Sequence, residues 1–300
     1  VKAYPQSLKR ARGVALIAVL WLVAVLTLLA TTVASLSVSH RRAASRYASA
    51  VELDQIADSA IRLAILRIIG PKSPNDPVTA GVTMQFQLFD SSADVVIERE
   101  QGRIDLNTAD DNLLFAFFAA NGWSAEAARD VVARIGDWKD PDDDAREHGA
   151  EQSSYVAAHL RYTPRNGPLE SVDELRQIVG VSDVSPALFE SFTVYTHSQS
   201  PSASLAPAPV KRAMEFADKQ QLGGHRWLSE REGATQSVVG AIQGDARTLV
   251  GEVVRFRSCA RKKGAERCRL MVARLTGSTQ NPLQVFVWQG AREGASESAR

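Results

Sequence analysis

The residues best suited to chemistry are acids. Asp137, Asp140, Asp142, Asp143, Asp144, Glu147 and Glu151 fall within fifteen positions, in a stretch broken by Pro141. Hard oxygen ligands at this density in an irregular loop suit Ca²⁺, which takes about six to eight oxygens and tolerates varied geometry. The pattern is not an EF-hand, because the glycine at loop position 6 and the glutamate at position 12 are absent in phase. A run of acids is more commonly a solvated face, so both readings stand at this point. Other reactive types give less. His40, His148, His159, His197 and His225 form no metal or triad spacing, and no serine sits in a Gly-x-Ser-x-Gly context. A non-enzymatic role is therefore expected, with Trp138 and Tyr155 as core anchors beside the acidic loop. Cys259 and Cys268 lie nine positions apart around Arg261-Lys262-Lys263-Gly264. They could staple a hairpin in an oxidising compartment or remain thiols in a reducing one.

The elements that must position these acids are helical. Residues 101–197 hold eight basic and seventeen acidic side chains, whereas 1–100 sum to +3 and 198–300 to +7. Within this acidic module, Asn107 or Thr108 can cap a helix over Asp110 to Ala120. Ser124 can cap another over Ala125 to Ile135, and Ser171 with Glu174 forms a capping box for a third ending near Gly180. On either side the period changes. Val82 to Phe89 and Val95 to Arg99 read as a hairpin around an Asp90 to Asp94 turn. Further strands read at Thr248 to Ser258, Cys268 to Leu275 and Leu283 to Trp288. A lone hairpin is marginal, so one sheet split by the acidic insert is expected.

Upstream stands an apolar run, Val14 to Ser39, of 26 residues without a charged side chain or histidine, preceded by Lys9-Arg10-Ala11-Arg12-Gly13. At about 1.5 Å per residue it makes a helix of about 39 Å, enough to cross a bilayer core of about 30 Å. The basic side before it favours export of the chain beyond Ser39. Helical pattern continues without Gly or Pro to Ile69, where Gly70-Pro71 stops it.

Several motifs in order then resemble the type II secretion minor pseudopilins of the K type. They are Arg12-Gly13-Val14, Arg103-Ile104-Asp105-Leu106-Asn107, Asp137-Trp138-Lys139-Asp140-Pro141-Asp142, Gly149-Ala150-Glu151, Asn166-Gly167-Pro168-Leu169 and Val172-Asp173-Glu174-Leu175. The resemblance implies an α+β fold: a pilin-like long N-terminal helix packed on a small antiparallel sheet, with an all-helical insert of SAM-like or helix-hairpin-helix-like type. It implies a prepilin leader, 1–13, cut by prepilin peptidase between Gly13 and Val14. It also implies a single inner-membrane pass with the head in the periplasm, and I- and J-type minor pseudopilins of the pseudopilus as partners, with secreted substrates as a further candidate contact. Ala18 stands where pilins of this class usually carry a glutamate; a subunit at the tip has no neighbour above it to meet such a charge, and an unpartnered buried carboxylate is costly. The family's head binds calcium through acidic residues near this loop, which implies Asp140, Asp142 and Glu151 as ligands, with Asp144 in reserve.

The expected organisation is a leader at 1–13, a long helix at 14–70 with 14–39 in the membrane, and the first part of the sheet at 82–100. The helical insert comes next at 101–197, then a low-complexity linker at 198–212, a variable segment with the second part of the sheet at 213–290, and a frayed tail at 291–300. The alternative is a membrane-anchored helix-hairpin-helix DNA-binding protein. Its turns at Gly122 and Gly180 lack the second glycine, and the acidic balance of 101–197 would repel a duplex, so no nucleic-acid partner is expected.

Overall fold

From Ala11 to Ile69 the sequence has no proline and only Gly13, and it forms one helix, α1 (Ala11–Ile69). The computed structural model describes residues 11–70, 83–181, 184–224, 227, 249–278 and 280–291, without the side chains of 11–15 and 33–43. The leader up to residue 10, the tail from 292, and the side chains at the Gly13-Val14 junction lie outside the described residues. The chain divides into two units, Val1–Leu53 and Asp54–Arg300.

In the first unit every described side chain from 16 to 32 is exposed, among them Leu16 at 65% and Trp21 at 70%. The three threonines of this stretch turn their hydroxyls inward. Thr27 donates to Val23 O at 2.9 Å and Ala24 O at 2.8 Å, Thr31 to Leu28 O at 2.9 Å, and Thr32 to Leu29 O at 2.8 Å. Among the described residues no helix is long and apolar enough to cross a membrane. The expected membrane run, 14–39, extends beyond the described side chains at both ends.

In the second unit the rest of α1 buries Ile56, Ala57, Ala60, Ile61, Ala64, Ile65 and Ile68. Their i, i+3, i+4 spacing makes one stripe. The sheet runs in the order β1-β2-β5-β6-β7, antiparallel throughout, from β1 (Thr83–Leu88), β2 (Ser91–Arg99), β5 (Val253–Lys262), β6 (Ala265–Leu275) and β7 (Leu283–Gly290). Polar ties join helix and sheet: Asp58 Oδ1 accepts from Arg269 Nε at 2.9 Å and Trp288 Nε1 at 2.7 Å, and the Arg62 guanidinium lies 5.1 Å from the Trp288 ring centre. The sheet is thus split in sequence as expected, but its hairpins are longer. β2 starts at Ser91, not Val95, and the turn is Phe89-Asp90. The polar letters of Ser91 to Asp94 hide a strand, because Ser91 and Ala93 face inward while Ser92 and Asp94 face out, Asp94 toward Arg261. Lys263 and Gly264, both at positive φ, close β5 onto β6. That register sets Cys259 opposite Cys268, Cα atoms 4.1 Å apart and sulfurs bonded.

The insert builds its own core between β2 and β5. A short parallel pair, β3 (Ile104–Asp105) and β4 (Phe192–Thr193), brings its first and last strands together. Between them lie α2 (Asp111–Ala120), α3 (Ala125–Lys139), α4 (Gln152–Ala157) and α5 (Pro186–Phe189), around buried Phe117, Phe118, Trp138, Tyr155 and Phe192. The third expected helix is a 3-10 turn, Val172–Gln177. Its Glu174 and Leu175 are buried, and Ile178, already extended, ends it. Helix α3 runs four residues past Ile135, so Asp137 is helical.

The stretch read as an extended, low-complexity linker, 198–212, packs on the insert and runs into a helix. Ser202 N donates to Gln101 O at 2.7 Å, Ala206 is buried, and α6 (Ala208–Gln220) begins within it. α6 lays Val210, Ala213, Met214 and Ala217 into the insert's core. Proline in the first turn is tolerated there, so the low-complexity composition concealed a helix start. Residues 228–248 of the variable segment lie outside the described residues.

Candidate metal centre

The motifs around the acidic loop act as pins that hold it. Asp105, 1% exposed, accepts from Asn107 N at 3.0 Å on one oxygen. Its other oxygen takes Thr196 N and Oγ1, each at 3.0 Å, and His197 N at 2.8 Å. Asn107 bridges both ways to Leu169, donating to its carbonyl at 2.9 Å and accepting from its N–H at 2.8 Å. Trp138 Nε1 donates to Glu174 Oε2 at 3.3 Å, while Glu174 Oε1 accepts from Ser171 N at 3.1 Å. The end of α3 is therefore fixed against the turn at 171–177.

On that fixed end stand the acids. Asp137 and Asp140, one helical turn apart, meet Glu151, which directly precedes α4; one carboxylate oxygen from each lies within 4.8 Å of the others. Asp137 is fully buried. Its Oδ2 accepts from Ala150 N at 2.7 Å, and both its oxygens accept from Arg146 N at 3.3 to 3.4 Å. Gly149 permits this: a Cβ there would fall 1.9 Å from Asp137 Oδ2. Glu151 is 3% exposed, and both its oxygens, like Oδ1 of Asp140, are buried with no hydrogen-bond partner among the described residues.

Such a group should not stay charged unaided. Burial first, and then Asp137, Asp140, Asp143 and Asp142, push the Glu151 carboxyl up to about 7. Asp137 is raised too, by burial and by Asp140, against the pull of the N–H groups of Ala150 and Arg146. A hard divalent cation would meet these orphaned oxygens. Oxygens bound to one Ca²⁺ at about 2.3–2.6 Å can be up to about 5 Å apart, and this cluster fits that span.

Of the acids expected as ligands, Asp140 and Glu151 come together. Asp142 and Asp144 do not join them; both are exposed, and Asp142 Oδ1 accepts from Asp144 N at 3.0 Å within the loop's own turn. Asp137 takes their place. Its signal was the three-residue spacing to Asp140, which becomes meaningful only once α3 is known to continue past Ile135. Cys259, Cys268 and Glu266 also lie close together, but the disulfide occupies both sulfurs. Ala18 is exposed on α1. The Gly180 turn of the DNA-binding alternative is covered by its own chain: Arg134 Nη1 donates to Val179 O at 3.2 Å and lies 1.9 Å from where a Gly180 Cβ would be.

Fold and site define a class: a long-helix protein whose antiparallel sheet is interrupted by a helical unit carrying an acidic loop. Residues 97–193, which take in that unit up to β4, match the family described as Type II secretion system (T2SS), protein K. The matched segment is about a third of the chain. The fold is similar to a chain in the crystal structure of the GspK-GspI-GspJ complex from the enterotoxigenic Escherichia coli Type 2 Secretion System. The TM-score is 0.55 and the identity 16%, over 84% of this chain and 99% of that one. No curated protein sequence matches the chain. The DNA-binding alternative finds no support in these similarities.

Proposed function

We propose that this protein is a minor pseudopilin of a type II secretion system, placed at the tip of the pseudopilus and initiating or capping the fibre that exports folded proteins. The carrying observation is the protein K domain at 97–193, inserted into the sheet between β2 and β5. The role is structural, with no catalytic step. Its partners are I- and J-type pseudopilins, as in the complex it resembles. The first unit anchors the chain in the inner membrane before assembly. What supports this is the exposed Leu, Ile, Val and Trp surface of 16–32 and the threonine hydroxyls satisfied inside the helix, as a bilayer requires. In this reading α1 is the pilin-like helix, the insert the SAM-like head, and the head lies in the periplasm.

Calcium belongs to the same proposal. Asp137, Asp140 and Glu151 would hold it, and its charge would tie the end of α3 to the start of α4 across the loop between them. The test is co-expression of the full chain with I- and J-type pseudopilins and the prepilin peptidase. Co-purification of all three from detergent, with a new N-terminus at Val14 by mass spectrometry, is the expected result. An intact leader and no co-purification would sink the proposal.

A further inference from the structure

Gly136 sits inside α3, where glycine weakens a helix relative to alanine. A Cβ at this position would fall 2.2 Å from Nη1 of Arg146 and 2.5 Å from its Cζ. The helix leaves out a side chain, and the Arg146 guanidinium fills the space. From there it reaches three carboxylates: Asp111 Oδ2 at 3.3 Å through Nη1, Asp137 Oδ1 at 3.5 Å through Nε, and Asp140 Oδ2 at 3.2 Å through Nη2. It thus engages one oxygen of Asp140 and leaves the other, Oδ1, buried and unpartnered beside the two bare oxygens of Glu151. The other cation at the end of α3, Lys139, donates its Nζ to Leu106 O at 2.8 Å and feels Asp111, Asp105 and Asp140 without an ion-pair contact to the cluster among the described residues.

Charge then decides what the site accepts. Asp137, Asp140 and Glu151 supply three negative charges when ionised, and the fixed guanidinium returns one. We propose that Arg146 is a specificity-determining residue, a built-in counter-charge that matches the cluster to a divalent cation and disfavours a trivalent one. It also contacts Asp137 Oδ1 and Asp140 Oδ2, as outer partners of metal ligands commonly do. The inference rests on the calcium reading above.

The experiment uses the detergent-solubilised full chain, titrated separately with Ca²⁺ and with Tb³⁺, an ion of similar size and one more charge. In Arg146→Gln the ratio of Tb³⁺ to Ca²⁺ affinity should rise about tenfold, because the trivalent ion loses one more unit of repulsion than the divalent one. Arg146→Lys, which keeps the charge, should return the ratio to within about threefold of the parent. A purely structural role would weaken both ions alike and leave the ratio in place. If the parent binds Ca²⁺ and Arg146→Gln leaves the ratio unchanged, the inference is overturned and the calcium reading survives. If the parent binds no Ca²⁺, both fall. Should Arg146→Gln fail to fold, Arg146→Met, which still fills the space over Gly136 without the charge, takes its place with the same expected rise, and an unchanged ratio overturns the inference.

Discussion

At the scale of single residues, Glu151 is the most informative side chain. Its carboxyl sits at about 7 in the metal-free chain, raised from 4.5. A raised acid favours folding only while protonated, so its contribution is full below pH 4.5 and is lost as pH climbs through 7. Metal-free protein should therefore lose about 1–3 kcal/mol between pH 5 and 8 from this group. Glu151→Gln should flatten that dependence and raise the metal-free melting temperature at pH 8 by a few degrees, at roughly 2–4 °C per kcal/mol. The same variant should abolish the calcium-induced shift in melting. Thermal scans at pH 5 and pH 8, with EDTA or with Ca²⁺, give both readings, and a calcium shift as large in the variant as in the parent would remove Glu151 from the site. Asp105 makes the contrasting case. Its carboxylate is fully bonded, so Asp105→Ala strands several N–H donors and should cost about 3–4 kcal/mol by denaturant titration, with calcium affinity changed far less than stability.

At the scale of elements, much was legible and the misses share a cause. Clear periodicity revealed α1, α2 and the split sheet, because that signal is local, although α2 is capped by Asp110 and not by Asn107 or Thr108. Hidden elements were those whose inward positions are small or whose outer face is polar. Ser91 and Ala93 are buried without looking apolar, and α6 begins inside a Pro/Ala/Ser stretch. The site miss has the same source: ending α3 at Ile135 left Asp137 in a loop and made Asp142 look its equal. The resemblance pointed to this loop, and packing separates its buried acids from its solvated ones. The cysteine pair was left open by spacing, and the register of β5 on β6 settles its geometry. A disulfide closing so short a loop restricts the unfolded chain by about 2–3 kcal/mol in the chain-entropy account. The double variant Cys259→Ser with Cys268→Ser should lose about that much in urea, and dithiothreitol should do the same to the parent but nothing to the variant. Equal stability with and without reductant in the parent would show that the bridge contributes nothing.

At the scale of the molecule, the question is what makes the sheet and its insert behave as one unit. Among the described residues, the insert's buried hydrophobic core is built from residues between Ile104 and Trp227, and half-buried Tyr195 packs against it. The junction is largely ionic. Arg255 on β5 binds Glu100 and Glu190, each at 2.5 Å, and Arg257 binds Glu190 at 2.9 Å. Arg103 joins Glu98 at 2.6 Å and donates to Glu190 O at 2.8 Å, while Tyr195 stacks on Phe286 at 5.0 Å. Arg255 and Glu100 are both buried, and removing one partner of a buried pair is far more costly than the pair's net worth, about 3–5 kcal/mol. Arg255→Met leaves Glu100 and Glu190 without their shared cation, and the cost falls on the joint between two bodies, each with apolar packing of its own. The parent should melt the second unit in one transition and Arg255→Met in two. Calcium then becomes a label: it should raise only the insert's transition, because Asp137, Asp140 and Glu151 all lie there. Differential scanning calorimetry with and without Ca²⁺ makes the measurement. A single transition in Arg255→Met, moved as a whole by calcium, would mean that Tyr195, Phe286 and the paired chain ends of β3 and β4 suffice to couple the two bodies.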